Sequence, residues 1–130
     1  MTEPVRVVIA DDDPDMRLLV TIAVRKAGLA LVAAAEDGNE AWQAVKDQAP
    51  DVVVLDVSMP GLSGLDVCRL IREDPQLAGT PVLLLSAGVN GASRELGLEA
   101  GADDFMPKPF SPKVLVEKLV ALSQGRGNAA

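Results

Sequence analysis

Short apolar runs alternate five times with amphipathic stretches along this chain of 130 residues. Two of the runs, "DVVVLDV" (51–57) and "PVLLLSA" (81–87), are almost continuously apolar, as strands that are covered on both faces must be. Regular alternation of strand and helix predicts a parallel sheet with helices on both of its faces. The predicted strands span residues 5–10, 29–35, 51–57, 81–87 and 103–108.

The amphipathic stretches between the runs predict five helices. In the first, Asp13 is the expected N-cap and Pro14 the first helical residue, and the helix runs to Gly28. Its apolar side chains recur at intervals of three and four residues, which is the spacing of one helix face. The other helices are expected over residues 38–48, 64–73, 91–100 and 111–123.

Composition removes several classes of function. The chain carries 19 acidic and 12 basic residues, so its net charge of −7 disfavours direct binding to nucleic acid or to an anionic membrane. It has one cysteine and no histidine, which excludes common zinc sites, Ser-His and Cys-His nucleophile pairs, and a histidine phosphodonor. No apolar run approaches the roughly 20 residues that span a bilayer, and a cytoplasmic location is therefore expected.

An acidic cluster follows the first predicted strand, where "ADDDPD" places four carboxylates within residues 11–15. Two carboxylates about 5 Å apart repel by about 3 kcal/mol at an effective dielectric constant of about 20. In an open parallel sheet, ligands bind outside the carboxyl ends of the strands. The polar residues that close strands one, three, four and five are Asp11, Asp12, Asp56, Ser86 and Lys108.

Carboxylates that are held together call for a cation, and hard oxygen ligands suit Mg²⁺. Beside such a metal, Asp56 could act as a nucleophile toward a phosphoryl group, with Ser86 and Lys108 contacting its oxygens. The alternative is that these residues have only structural roles. In that case residues 11–15 form a solvated turn with an N-cap, Asp56 begins a loop, and Lys108 lies on the surface. The residues alone leave both interpretations open.

Four segments, in this order, resemble the receiver domain of two-component response regulators: "ADDD", "LDVSMPGLSGLD", "LLLSAG" and "GADDFMPKPF". The resemblance covers about residues 4–123. It implies an α/β fold, a doubly wound, flavodoxin-like sheet of five parallel strands in the order 2-1-3-4-5 with five helices. It also implies a receiver domain over residues 1–123, followed by a flexible tail or linker stub over 124–130.

The resemblance assigns a metal site and a phosphoacceptor. Asp56 matches the phosphoacceptor of the family. Asp11 and Asp12 match its acidic pair, which would bind Mg²⁺ (or Mn²⁺) together with Asp56. The backbone carbonyl of Ser58 would be a further ligand of the metal.

The remaining site residues match positions that contact or sense the phosphoryl group. Ser86 matches the switch hydroxyl, and Lys108 the lysine that contacts the phosphoryl group. The small side chain of Ala87 would leave the phosphoryl group access to the acceptor. Phe105 occupies the position of the switch aromatic, which turns inward when Ser86 moves toward the phosphoryl group. The peptide bond between Lys108 and Pro109 is cis in the family.

The resemblance therefore implies a phosphorylation switch rather than an enzyme with an outside substrate. Asp56 would receive a phosphoryl group from a sensor histidine kinase or a phosphotransfer protein, which would dock on the first helix. Met16 and Arg17 are docking candidates, and Val20 belongs either to that surface or to the core. Phosphorylation would change the face formed by the fourth helix, the fifth strand and the fifth helix.

The segment "SRELGLEAGADDFMPKPFSPKVL" resembles the branch of the family that carries a winged-helix DNA-binding domain. That branch forms homodimers through this same face, using acidic residues such as Asp103 and Asp104 and basic residues such as Arg94 and Lys118. Val120 stands where an arginine is expected, which leaves the set of charges incomplete. The receiver itself is not expected to contact nucleic acid or a membrane.

Three other functions compete with this interpretation. A flavin or nucleotide carrier needs a loop rich in glycine and serine after the first strand, whereas "DDDPD" repels phosphate. A phosphatase with an aspartyl-phosphate intermediate needs a second acid two residues after Asp56, where this chain has Ser58. The third alternative is a receiver-like interaction module that works without phosphorylation.

Overall fold

The computed structural model describes residues 3–87 and 91–127. Strands and helices alternate strictly through these residues, as the apolar pattern predicts. In chain order the elements are β1 (Arg6–Ala10), α1 (Pro14–Lys26), β2 (Ala30–Ala35), α2 (Gly38–Gln48), β3 (Val52–Asp56), α3 (Gly64–Glu73), β4 (Val82–Ser86), α4 (Gly91–Glu99), β5 (Asp104–Pro107) and α5 (Pro112–Gly127).

The five strands form one parallel sheet in the order β2-β1-β3-β4-β5. This confirms the predicted fold class and strand order. Every residue of β3 and β4 is buried, which explains why those two runs lack the polar alternation of a half-exposed strand. Because all strands run the same way, the ends of β1, β3 and β4 and the residue after β5 meet at one edge.

Side chains that alternate along a strand point to opposite faces of the sheet and feed two separate cores. In β1, Val8 packs with the apolar side chains of α2 and α3, whereas Val7 packs with those of α1 and α5. Helices therefore cover both faces. No helix within the described ranges is long and apolar enough to cross a membrane.

Local signals at the helix starts match the structure closely. The carboxylate of Asp13 caps α1 by accepting the backbone N–H of Asp15 at 2.9 Å. Ser63 and Asp66 form a reciprocal capping box at the start of α3, and the resulting hydrogen bonds from Ser63 lower the pKa of Asp66. Helices α2 and α3 begin and end at the predicted residues.

Helix α5 extends to Gly127, four residues beyond its predicted end at 123. The sequence offers no proline to stop it there, and two late glycines are weak terminators inside a helix that is already formed. The first part of the expected tail is therefore helical. Residues 128–130 lie outside the described residues, and the boundary between receiver and tail stays a prediction.

Candidate functional site

Three carboxylates converge where β1 and β3 end. One oxygen from each of Asp11, Asp12 and Asp56 lies within 4.8 Å of the other two. The strands bring them together because β1 and β3 are neighbours, with Ala10 paired to Leu55 just before the acids. Asp11 and Asp56 are buried, at 2% and 4% exposure, while Asp12 is exposed.

Lys108 follows the edge strand β5, and its side chain brings a positive charge to these acids. Its Nζ lies 2.8 Å from Oδ2 of Asp11 and 3.4 Å from Oδ1 of Asp56. Burial alone would lower the pKa of Lys108, but its hydrogen bond to Asp11 and the charges of Asp56 and Asp11 outweigh that effect and raise the pKa. Lys108 therefore stays charged and partly neutralises the cluster.

The environment of Asp56 disfavours the charged form of its carboxyl group. Burial, followed by the charge of Asp11, raises the pKa of Asp56 from its ordinary value of 3.8 to about 6, and the attraction of Lys108 offsets only part of this. At neutral pH the carboxyl is still ionised, as a nucleophile must be. Its ionised form is costly in this site, which means that an added cation would stabilise it.

An open cavity of about 530 Å³ gives access to the acids from solvent. The predicted residues Asp12, Asp56, Ser58, Ala87 and Lys108 all contribute to its wall. The remaining lining residues are Asp13, Met16 and Pro109. The peptide bond between Lys108 and Pro109 is cis, as the resemblance implies. The cavity thus joins residues that the sequence places on four separate segments.

The donor set fits a hard divalent cation. Asp11, Asp12 and Asp56 offer carboxylate oxygens at close range, and the open cavity leaves room for the waters that Mg²⁺ usually keeps. Ser58 lies on the cavity wall and donates its backbone N–H to Oδ1 of Asp56 at 3.4 Å. The role of its carbonyl as a ligand of the metal stays a prediction.

The two predicted switch residues lie deeper than the cavity wall. Ser86 ends β4 and is 5% exposed, and its carbonyl accepts the backbone N–H of Lys108 at 2.6 Å. Phe105 on β5 is 7% exposed and belongs to the core beside Leu84. The roles of Ser86 and Phe105 as switch residues stay predictions.

Helix α1 adds two findings to the prediction. Val20 is 1% exposed and packs in the core, which decides between the two positions that the sequence left open for it. The guanidinium of Arg17 donates to the carbonyl of Asp11 at 2.9 Å and pairs with Glu36 at 3.3 Å, a contact with the site that sequence reasoning missed. An arginine one turn after the acidic cluster was the available signal.

A sequence profile of the response regulator receiver domain matches residues 7–120. The chain belongs to this family. Receiver domains are parts of two-component systems. In this chain the acidic cavity lies at the carboxyl ends of the strands, where open parallel sheets bind their ligands. The prediction made from "ADDD" and the three later segments is confirmed at the level of the family.

Curated relatives agree with the predicted branch of the receiver family. The chain is 42% identical over 116 residues to the DNA-binding response regulator MtrA of Mycolicibacterium smegmatis, covering 89% of this chain and 49% of that protein. It is 44% identical over 126 residues to the probable transcriptional regulatory protein TcrX of Mycobacterium tuberculosis, covering 96% and 52%. The chain therefore spans about half the length of these relatives.

Solved receiver structures have the same architecture. The receiver domain of the putative response regulator NarL from Mycobacterium tuberculosis superposes with a TM-score of 0.88 at 35% identity, covering 95% of this chain and 99% of that one. A putative response regulator from Chloroflexus aurantiacus also gives a TM-score of 0.88, at 32% identity and coverages of 94% and 99%. Both support the fold read from the strand order.

Proposed function

We propose that this receiver is a Mg²⁺-dependent phosphoacceptor that takes a phosphoryl group on Asp56 from a phosphohistidine of a sensor kinase or phosphotransfer protein. The proposal rests on one observation, the convergence of Asp11, Asp12 and Asp56 within 4.8 Å with Lys108 bridging two of them. Acids that only solvate a surface do not need to be brought together in this way. The grouping suits the binding of a charged ligand, such as a cation or a phosphoryl group.

In the proposed reaction, an oxygen of Asp56 forms a bond to phosphorus while the bond between phosphorus and the donor nitrogen breaks. The electron pair of the broken bond stays on that nitrogen, so Asp56 gains a phosphoryl group and the donor histidine becomes neutral. A bound Mg²⁺ would supply positive charge that offsets the phosphoryl oxygens and the acids around it. Asp11, Asp12, Asp56 and the carbonyl of Ser58 would hold that ion.

Lys108 and Ser86 would contact the transferred group. The ammonium of Lys108 is already within 3.4 Å of Asp56, so a small movement of this long side chain would bring it to a phosphoryl oxygen. The hydroxyl of Ser86 would hydrogen-bond a second oxygen. Ala87, on the cavity wall, has no bulk to block the phosphoryl group.

The proposed output is a change in the surface of α4, β5 and α5. Ser86 and Phe105 lie on adjacent strands, and a shift of Ser86 toward the phosphoryl group would alter the packing around the ring. A local change of charge would thereby bias a two-state surface. This receiver would be a switch that assists its own phosphorylation and dephosphorylation, rather than an enzyme with an outside substrate.

Donor docking on α1 is the second part of the proposal. Leu18, Leu19 and Ile22 expose 59%, 40% and 39% of their surface along this helix, close to Met16 on the cavity wall. We expect Leu18→Glu to slow transfer from a phosphorylated kinase and to leave labelling by acetyl phosphate unchanged, since the small donor needs no docking surface. Equal losses with both donors would contradict docking at this helix.

A homodimer through α4, β5 and α5 is the third part of the proposal. Asp104 pairs with Lys118 at 2.7 Å and Asp103 with Arg72 at 2.8 Å, both within one chain. Two copies would have to exchange these internal partners, and Val120 offers no charge in return. Sedimentation with and without beryllofluoride, which mimics the phosphoryl group, would show whether two copies associate.

The deciding experiment is phosphoryl incorporation from acetyl phosphate, measured by intact mass with Mg²⁺ and with EDTA. We expect a gain of one phosphoryl group in the wild type with Mg²⁺, and none in Asp56→Asn or in EDTA. Asp47→Asn, an exposed acid on α2, is the matched control and should label like the wild type. Absence of labelling with both acetyl phosphate and phosphorylated kinases would favour the interaction module that works without phosphorylation.

DNA binding by the whole protein and a cytoplasmic location stay predictions. MtrA is named a DNA-binding response regulator, and this chain covers about half of it. The receiver carries a net charge of −7, so we propose that any contact with DNA is made by another segment.

A further inference from the structure

We propose that Gly38 and Gly64 are positioning residues that clamp the loop 57–63 from both sides. The clamp would set the backbone of Asp56 and of Ser58 before a metal ion or a phosphodonor arrives. This inference rests on the proposed function, since it explains how the acceptor is held ready. It concerns two glycines at helix starts, each of which contacts the loop through its own backbone.

Gly64 is the first residue of α3 and lies directly against the acceptor. Its N–H donates to the carbonyl of Val57 at 2.9 Å. A Cβ built on Gly64 would overlap the carbonyl oxygen of Asp56, and it would lie 2.9 Å from the carbonyl carbon of Asp56 and 3.0 Å from Cα of Val57. These are backbone atoms, so no side-chain rotation could make room.

Gly38 is the first residue of α2 and holds the other end of the loop. Its N–H donates to the carbonyl of Pro60 at 3.2 Å. A Cβ built on Gly38 would overlap the carbonyl group of Leu62 and would lie 2.7 Å from the Cβ of that residue. Any side chain at this position would push α2 and the loop apart.

The loop itself is shaped to fit between the two helices. Gly61 has a φ of +74°, a left-handed conformation that favours glycine, and it carries the chain from Pro60 to Leu62. The capping box of Ser63 and Asp66 then fixes the start of α3. A surface loop usually keeps considerable freedom, whereas here Val57 and Pro60 both accept hydrogen bonds from residues at helix starts.

Preorganisation is the consequence for chemistry. The reacting oxygen of Asp56 and the carbonyl of Ser58 depend on this stretch of backbone, and a displacement of about 1 Å in such a site can cost about a hundredfold in rate. A clamp made of backbone contacts holds its geometry without needing the metal. Glycine at both contacts is therefore a requirement of the site and not only of the turn.

The test compares three glycine-to-alanine variants of the whole chain. Gly64→Ala and Gly38→Ala add a Cβ against backbone atoms, whereas a Cβ at Gly79 meets no atom within 4 Å, which makes Gly79→Ala the matched control. Initial rates of labelling by acetyl phosphate would be measured at saturating Mg²⁺. Mg²⁺ dissociation constants would be measured by calorimetry, at a temperature where circular dichroism shows each variant to be folded.

We expect Gly64→Ala to label at least about tenfold more slowly, and Gly38→Ala to bind Mg²⁺ several-fold more weakly. Gly79→Ala should match the wild type in both measurements. A folded Gly64→Ala or Gly38→Ala with wild-type rate and wild-type affinity would overturn the proposal. A residue that matters only for folding would change the melting temperature and leave both of these measurements untouched.

A measurement on the wild type covers the case in which neither variant folds. The N–H groups of Gly38 and Gly64 should be protected from hydrogen exchange to the same degree in EDTA and in Mg²⁺. Rapid exchange in EDTA would mean that metal creates the loop geometry, and the clamp would be disproved. Failure of the proposed function is a separate outcome, since it appears as absent labelling of the wild type, whereas Mg²⁺ affinity and exchange still report on the loop.

Discussion

The Nζ atom of Lys108 lies 2.8 Å from Oδ2 of Asp11, although 97 positions separate the two residues in the sequence. Asp11 follows β1 and Lys108 follows β5, and two strands, β3 and β4, lie between them in the sheet. The side chain of Lys108 therefore reaches from the end of β5, past the ends of β4 and β3, to the acid at the end of β1. Its charge stabilises the acids and also occupies oxygens that a metal ion would need.

Replacement of Lys108 by methionine should separate these two effects. We expect Lys108→Met to bind Mg²⁺ about tenfold more tightly, because the ammonium no longer competes for Asp11 and Asp56; a tenfold change corresponds to about 1.4 kcal/mol. Labelling by acetyl phosphate should nevertheless fall by about a hundredfold, since a charge that stabilises the transferring group is lost. Calorimetry and intact mass provide the two measurements.

Lys113→Met is the control for this change, since it removes the same charge from an exposed position on α5. It should alter Mg²⁺ affinity by less than about twofold, because an exposed charge beyond the site is screened by salt. If Lys108→Met bound Mg²⁺ more weakly than the wild type, the idea of competition between the ammonium and the metal would be wrong.

Removal of the Asp56 charge should stabilise the metal-free protein in a pH-dependent way. The pKa of Asp56 is about 6 in the folded chain against an ordinary value of 3.8, so the folded state binds more protons between these two values. This carboxyl consequently makes the fold less stable as the pH rises from about 4 to about 6. The full shift corresponds to about 3 kcal/mol as an upper bound.

We therefore expect Asp56→Asn, in EDTA at pH 7.5, to raise the free energy of unfolding by about 1 to 3 kcal/mol. The gain should shrink as the pH falls through 6 and disappear near pH 4. Urea titrations across this range, with Asp47→Asn as the exposed control, would measure it. A gain of equal size at every pH would show that desolvation of this charge is not the cause.

Outside the site, we expect Arg72 to make a large contribution to the free energy of unfolding. Its guanidinium donates to the carbonyls of Gly101, Ala78 and Thr80 and to the carboxylate of Asp103, at 2.6 to 3.0 Å. Arg72→Ala would leave several acceptors without this donor, and we expect a loss of about 3 kcal/mol in urea unfolding.

Arg69→Ala provides the comparison, since Arg69 lies three residues earlier on the same helix with a half-exposed ion pair of 3.6 Å. It should cost less than about 0.5 kcal/mol. Similar losses for the two variants would mean that the network of Arg72 contributes no more than a surface ion pair.

Replacement of Ala49 by glycine should stabilise the fold. Ala49 follows α2 with a φ of 43°, a left-handed conformation in which the Cβ of alanine is unfavourable. We expect Ala49→Gly to raise the free energy of unfolding by about 0.5 to 1 kcal/mol. Ala44→Gly, inside the same helix, should lower it by about 1 kcal/mol, and a thermal melt that ranked the two variants in the opposite order would contradict the argument.

Much of the fold could be predicted because its signals are local. The bounds of α2 and α3 match the prediction, since caps such as Asp37 and Ser63 and the residues after each helix act within a few positions. The rule that ligands bind at the carboxyl ends of parallel strands was enough to bring Asp11, Asp12 and Asp56 together. The family profile then confirmed the class of domain.

The sequence left positions open, or gave no sign of a contact, where exposure and long-range packing decide. Periodicity placed Val20 on an apolar stripe of α1 but could not say whether it faced the core or a partner, and only the packed sheet buried it. Arg17 stays a docking candidate, and nothing in the sequence indicated that its guanidinium contacts the carbonyl of Asp11. Neither outcome follows from spacing, because each depends on which element lies beside the helix.

The sequence by itself determined the alternation of strands and helices, the acids at the strand ends and the family that these residues indicate. Those features depend on side-chain type and on spacing within short segments. The tertiary structure decided the reach of Lys108 to Asp11, the burial of Phe105 and the contact of Gly64 with the backbone of Asp56. These depend on how closely distant backbones approach, a quantity set by the packing of the whole sheet and its helices.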